Sequence, residues 1–154
     1  MLNVDTKILS KCIANKLKKF LPTLIKSDQT AYVTGRFIGE SSRLISDIIE
    51  TTKSMEIPDF LVTMDIEKAF DSVDHEFLFK VLKHAGFGDS LIGWIKLLVL
   101  DQESSVFNNG FSTGYFKLER GCRQGDPISA YLFILVMEFF FQMVRNNSAK
   151  NLRP

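Results

Sequence analysis

One stretch constrains this chain more than any other: Phe60-Leu61-Val62-Thr63-Met64-Asp65, followed by Ile66-Glu67-Lys68-Ala69-Phe70-Asp71. Its first five residues are apolar or β-favouring, which predicts a strand over 60–64. The strand ends on a carboxylate. An acid at the exit of a buried strand is costly unless it is paired or holds a metal. Asp65 is therefore a candidate ligand, with the adjacent Ile66 carbonyl suited to the same hard cation; Mg²⁺ takes one or two carboxylates and completes its shell with water and phosphate oxygens. The alternatives are an ion pair with Lys68 or Arg123, or a cap on the next element. Phe70 is core by default, and Asp71 and Asp74 are helix-cap candidates.

A second stretch has the opposite chemistry. Arg120-Gly121-Cys122-Arg123-Gln124-Gly125-Asp126-Pro127 is a glycine-rich cationic loop that opens onto a long apolar run, Ile128 to Val144. Backbone N–H groups at such a helix start can meet an anion. Arg120 and Arg123 can add charge-assisted bonds to phosphate, and Gln124 can position a base edge. Carboxylate and cationic loop together resemble half of a phosphoryl-transfer site. Gly35-Arg36 reads equally as a turn with a solvated arginine.

The length of 154 residues fits one domain with a real core. Net charge is only +1, so its distribution is what counts. Residues 1–26 carry Lys7, Lys11, Lys16, Lys18, Lys19 and Lys26 against Asp5, whereas residues 40–76 are acidic. That asymmetry suits a polyanion on one side and a divalent cation on the other; a solvated lysine face is the plainer reading. Cys12 and Cys122 form no ligand cluster, and a reducing compartment is expected. The start has no signal-peptide pattern, and the run 128–144 is interrupted by Ser129, Glu138 and Gln142, which argues for a buried core helix rather than a membrane span.

Helical spacing of Ile8, Leu9, Cys12, Ile13, Leu17 and Phe20 predicts a helix over 6–20 that Pro22 ends or bends. A second amphipathic helix over 40–55 rests on Leu44, Ile45, Ile48 and Ile49. Helices are expected near 75–85, stopped by Gly86 and Gly88, and from a cap at Asp89 or Ser90 onward. Asn109-Gly110 signals a hairpin between strands at 104–108 and 115–118. The last helix, with Pro127 at its first position, is apolar nearly all round and should be buried. The fold class is α/β (α+β), helix-dominated.

The motifs together resemble reverse transcriptases of LINE-type (non-LTR) retrotransposons, from about Asp5 to Val144. Lys7-Ile8-Leu9-Ser10-Lys11-Cys12-Ile13-Ala14-Asn15-Lys16-Leu17 and Asp28-Gln29-Thr30-Ala31-Tyr32-Val33-Thr34-Gly35-Arg36 are similar to two fingers motifs. Met64 to His75 and Arg120 to Ser129 are similar to two palm motifs. The resemblance implies a fingers-like region at 1–59 and a partial palm with a small antiparallel sheet at 60–154. It implies RNA-directed DNA polymerisation in the complete protein, with RNA template, DNA primer, deoxynucleoside triphosphates and two Mg²⁺ ions, inside the cell and away from membranes. Asp65 would ligate both ions, helped by Ile66. Phe70 would exclude a 2′-hydroxyl, Arg36 would touch the triphosphate, and Gln124 and Gly125 would line the nascent base pair. Lys7, Lys11, Arg120 and Arg123 would lie near nucleic-acid phosphates. The family's adjacent pair of aspartates occurs nowhere in this sequence. Two of three catalytic carboxylates are thus lacking, and the fragment alone is expected to be inactive. A residual RNA- or hybrid-binding module and a decayed mobile-element relic are the alternatives. With no hairpin to pair it, the edge of the 60–64 strand is expected to be exposed and aggregation-prone.

Overall fold

The computed structural model describes residues 3–56, 58 and 60–151, with the side chains of 148–151 excepted. Helices dominate: α1 (Val4–Leu24), α2 (Ile38–Ser54), α3 (His75–His84), α4 (Asp89–Val99) and α5 (Ser129–Asn151). Between α4 and α5 lie four short strands, β1 (Gln102–Ser104), β2 (Phe107–Asn108), β3 (Phe111–Ser112) and β4 (Phe116–Leu118). They form two antiparallel pairs, β1 with β4 and β2 with β3.

Local chemistry sets most element boundaries. Asn3 caps α1 by accepting from the Asp5 amide. Asp74 caps α3 by accepting from the Phe77 amide at 2.8 Å, as its residue type predicts. At the other end of α3, Gly86 takes a φ of +83°. The Phe87 amide then reaches the Leu82 carbonyl, and the Gly86 amide the Lys83 carbonyl. This is the Schellman arrangement, and it is why the helix stops there. At α4 the cap position belongs to Gly88 rather than to Asp89 or Ser90, and Asp89 serves as the acid of the first turn. Asn109 and Gly110 both have positive φ, 49° and 85°. They make the two-residue turn between β2 and β3, whose twist matches the flanking strands.

The core is built by α1, α3, α4 and α5. Ile13, Ala14, Leu17 and Leu21 of α1 meet Leu78, Val81 and Leu82 of α3, Ile92, Ile95 and Leu98 of α4, and Leu132, Ile134 and Leu135 of α5 in one buried cluster. The buried face of α1 is rotated from the expected one: Ser10 is inside, while Ile8, Leu9 and Phe20 are exposed. Pro22 lies within the last turn of α1 and does not end it. The first half of α5 is buried as its sequence predicts; further along, Phe140 and Met143 are exposed. No helix among the described residues is long and apolar enough to cross a membrane.

Two expectations require correction. Residues 60–66 form no strand. Phe60 is 95% exposed, and Leu61, Val62 and Met64 are also exposed. An apolar run becomes a buried strand only when a sheet receives it, and no described strand pairs with this one. With no strand there is no strand edge; what is exposed is a set of apolar side chains. The strand pairs among the described residues lie instead within 102–118, as two separate two-stranded sheets. Helix α2 forms as expected, yet none of its residues is buried.

Candidate functional site

The two sequence motifs meet backbone to backbone. The Gly121 amide donates to the Val73 carbonyl and the Cys122 amide to the Phe70 carbonyl, both at 2.8 Å. Asp74 and Arg120 form an antiparallel bridge. His75, buried, places Nε2 2.9 Å from the Gly121 carbonyl. Gly121 has a φ of +93°, and a Cβ there would lie 3.0 Å from the Asp71 Cα. Any side chain there would crowd the Asp71 backbone at a φ that L-residues rarely adopt.

One cavity borders this seam, and a second adjoins it through Leu118 and Arg123. The first, of about 440 Å³, is lined by Asp71, His75, Arg120, Cys122, Arg123 and Asp126 among others. Burial, then the Asp126 charge, push the Cys122 thiol up to about 12. The other, of about 390 Å³, brings Lys7 of α1 together with Arg123, Gln124 and Gly125 of the loop, opposite Glu103 and Ser104 of β1. Lys7 and the 123–125 part of the loop, from two separate stretches of the sequence, thus share one cleft. The loop is a closed turn: the Arg123 carbonyl accepts from the Asp126 amide at 3.3 Å and from the Ser129 hydroxyl at 2.7 Å, and Gly125 has a φ of +81°.

Other candidates lie elsewhere. Asp65 and Ile66 are exposed and line neither cavity. Asp65 makes no ion pair with Lys68 or Arg123; the ion pairs among the described residues involve other groups. Among the described residues, no three His, Cys, Asp or Glu side chains gather at one point. One carboxylate does not fit a two-ion site. Phe70 is half-buried against Phe133 of α5, with ring centroids 4.8 Å apart. Lys11 is exposed on α1 and lines neither cavity.

Arg36 is not free. Its guanidinium donates to the carbonyls of Lys26 at 2.5 Å, Gln29 at 2.6 Å, Ile25 at 2.7 Å and Pro22 at 3.4 Å. The last carbonyls of α1 have no partner within the helix, and its last turn carries no basic residue. Arg36 arrives from across the turn and places its cation beyond this helix end, reaching one carbonyl of the last turn, Pro22, and three of the residues that follow it.

Two groupings were not found from the sequence. Glu138, buried in α5, accepts from the Lys26 amide at 3.3 Å and pairs with Arg145, which also binds Asp28 at 2.5 Å. A lone acid within an apolar helix was the available signal. Ser10, fully buried on α1, donates to Asp126; nothing local in the sequence marks that partnership.

Residues 1–152 match the family described as reverse transcriptase (RNA-dependent DNA polymerase). Among curated proteins, the chain is 34% identical over 145 residues to a transposon TX1 uncharacterized 149 kDa protein of Xenopus laevis, covering 94% of this chain and 11% of that protein. It is 24% identical over 146 residues to a retrovirus-related Pol polyprotein from the type-1 retrotransposable element R2 of Nasonia vitripennis, covering 95% of this chain and 14% of that one. A type-2 element R2DM Pol polyprotein of Drosophila melanogaster is 32% identical over 79 residues, 51% of this chain and 8% of that protein. The chain thus spans a small part of the length of each.

Proposed function

The chain belongs to the reverse transcriptase (RNA-dependent DNA polymerase) family as a partial domain of the non-LTR retrotransposon type, and from that premise we propose that its cleft between α1 and the 123–125 loop receives the phosphate backbone of an RNA template or RNA–DNA hybrid. The observation that carries this reading is the convergence of Lys7, Arg123, Gln124 and Gly125 on one cleft. Two cations from separate elements face it, beside a loop with a glycine where backbone and ligand can approach closely. Arg120 on the adjoining cavity and Lys11 further along α1 extend the cationic surface.

In the complete protein the proposed reaction is attack of a DNA primer 3′-hydroxyl on the α-phosphate of a deoxynucleoside triphosphate, with pyrophosphate leaving. Positioning and electrostatics would supply most of the catalysis. Gln124 and Gly125 would lie along the nascent base pair, and Phe70 would sit beside the sugar. Asp65 and the Ile66 carbonyl would be one part of a Mg²⁺ site and do not form one by themselves. Arg36 would reach a triphosphate only by giving up its carbonyl partners, so its part here is to hold the turn after α1. The division into a fingers-like part to residue 59 and a palm part beyond it, and an intracellular setting, belong to the same proposal.

The test is fluorescence anisotropy with single-stranded RNA and an RNA–DNA hybrid. Affinity should fall as salt rises, and Lys7→Ala with Arg123→Ala should reduce the slope of log K against log salt by about two, one for each lost phosphate contact. Salt-independent binding, or none at low salt, would sink the reading. Primer extension on poly(rA)/oligo(dT) with Mg²⁺ is expected to yield no product with these residues alone.

A further inference from the structure

The loop that lines the cleft is tied to α1 at one buried point. Ser10 is completely buried and Asp126 is 8% exposed. The Asp126 Oδ1 accepts from the Ser10 hydroxyl and, at 3.2 Å, from the Ile128 amide at the entry to α5. Its backbone carbonyl accepts from the Ser129 amide at 3.1 Å, and its own amide closes the turn onto the Arg123 carbonyl. One residue therefore joins three things: α1, the start of α5 and the 123–125 turn. Ser10 lies one helical turn after Lys7, and residues at that spacing are neighbours on a helix surface.

We propose that Ser10 and Asp126 are a positioning pair that fixes the Arg123-Gln124-Gly125 turn against Lys7. This rests on the reading of the cleft as a phosphate site. A ligand with regularly spaced phosphates is held by cations whose separation is set beforehand. Lys7 and Arg123 stand on elements far apart in the chain, and the Ser10–Asp126 bond is the buried side-chain link between those elements. A buried carboxylate left without one of its donors is costly, so the link defines a particular arrangement as well as stabilising it.

The experiment has two arms. The first needs no ligand: amide hydrogen exchange on the whole chain. In Ser10→Ala and Asp126→Ala the Ile128 and Ser129 amides should exchange about tenfold faster or more, while amides of α3 and α4 stay within about twofold. Asp126→Asn keeps an acceptor oxygen and should restore most of the protection. Unchanged protection at 128–129, or equal acceleration throughout the chain, overturns the pair as a positioning device. The second arm measures RNA binding by anisotropy. Lys7→Ala should weaken binding about three- to tenfold with Ser10 in place and less than about twofold in the Ser10→Ala background. An equal loss in both backgrounds overturns the link to the cleft. Absence of RNA binding by the unmodified chain would remove the phosphate reading, and the exchange arm would still decide the pair.

Discussion

Two amphipathic helices of similar length behave differently in this molecule. Helix α1 buries Ser10, Ile13, Ala14, Leu17 and Leu21; helix α2 buries nothing, although Leu44, Ile45, Ile48 and Ile49 line one face as regularly. What separates them is company. α1 packs against α4 and α5, whereas α2 and the exposed run 60–66 stand outside the cluster that the other four helices form. An apolar stripe states a requirement for a partner; only tertiary contact shows whether the requirement is met.

The largest expected effect lies inside the cluster. Leu82→Ala removes a fully buried side chain and should lower unfolding free energy by about 2–5 kcal/mol, measured by urea titration. A loss under about 1 kcal/mol would mean that the four-helix cluster is loose, and the contrast with α2 would disappear. Next is Gly121→Ala, which forces a side chain into a positive-φ position against the Asp71 backbone. It should cost about 1–3 kcal/mol and loosen the seam between the two motifs, seen as faster exchange of the Cys122 amide. Asp74→Ala removes the α3 cap and should cost about 1 kcal/mol.

Cys122 sharpens the comparison through pH. Its thiol is pushed from 9.0 to about 12 by burial and then by Asp126. An unfolded chain loses that proton near pH 9, while the folded chain keeps it. The contribution is therefore fully present below pH 9 and is lost as pH rises toward 12. Relative to Cys122→Ala, the wild type should lose stability across that window. A parallel pair of stability curves would show that Cys122 is wetter than its burial implies. Exposed Cys12 should be alkylated at pH 8 in the folded protein, and Cys122 only after unfolding.

Legibility followed locality. The Asp74 cap, the Gly86 stop and the Asn109-Gly110 turn were readable because each depends on a few neighbouring residues and their allowed dihedrals. The sequence pairs the 60–71 and 120–127 stretches only by complementary chemistry and by resemblance, and the residues that lace them, His75 through its ring and Gly121 through its backbone, make contacts that no spacing rule displays. The strand expected over 60–64 does not form because an apolar, β-favouring run reports only a preference, while a strand needs hydrogen-bonding partners from elsewhere. Arg36 was read as solvated or as a phosphate ligand. Its four carbonyl partners come from residues 22–29, and their convergence is a property of the turn's path. Ser10 was hidden for the opposite reason: a small polar residue on a helix looks solvated until the distant Asp126 arrives.

The smallest expected effect is the one that tests the contrast most directly. Ile48 on α2 is half exposed and lies outside the buried cluster, so Ile48→Ser should change unfolding free energy by no more than about 0.5 kcal/mol. The same helix contains Ile45, Ile48, Ile49, Thr51 and Thr52, whose branched side chains lose rotamer freedom in a helix. With neither strong propensity nor packing to hold it, α2 should open far more readily than α1, and its amides should exchange first. A cost above about 1 kcal/mol for Ile48→Ser would show that its apolar face is covered in solution, because only burial gives one exposed-looking isoleucine that much weight. In that case α1 and α2 would differ in the identity of their partners and no longer in whether they have one.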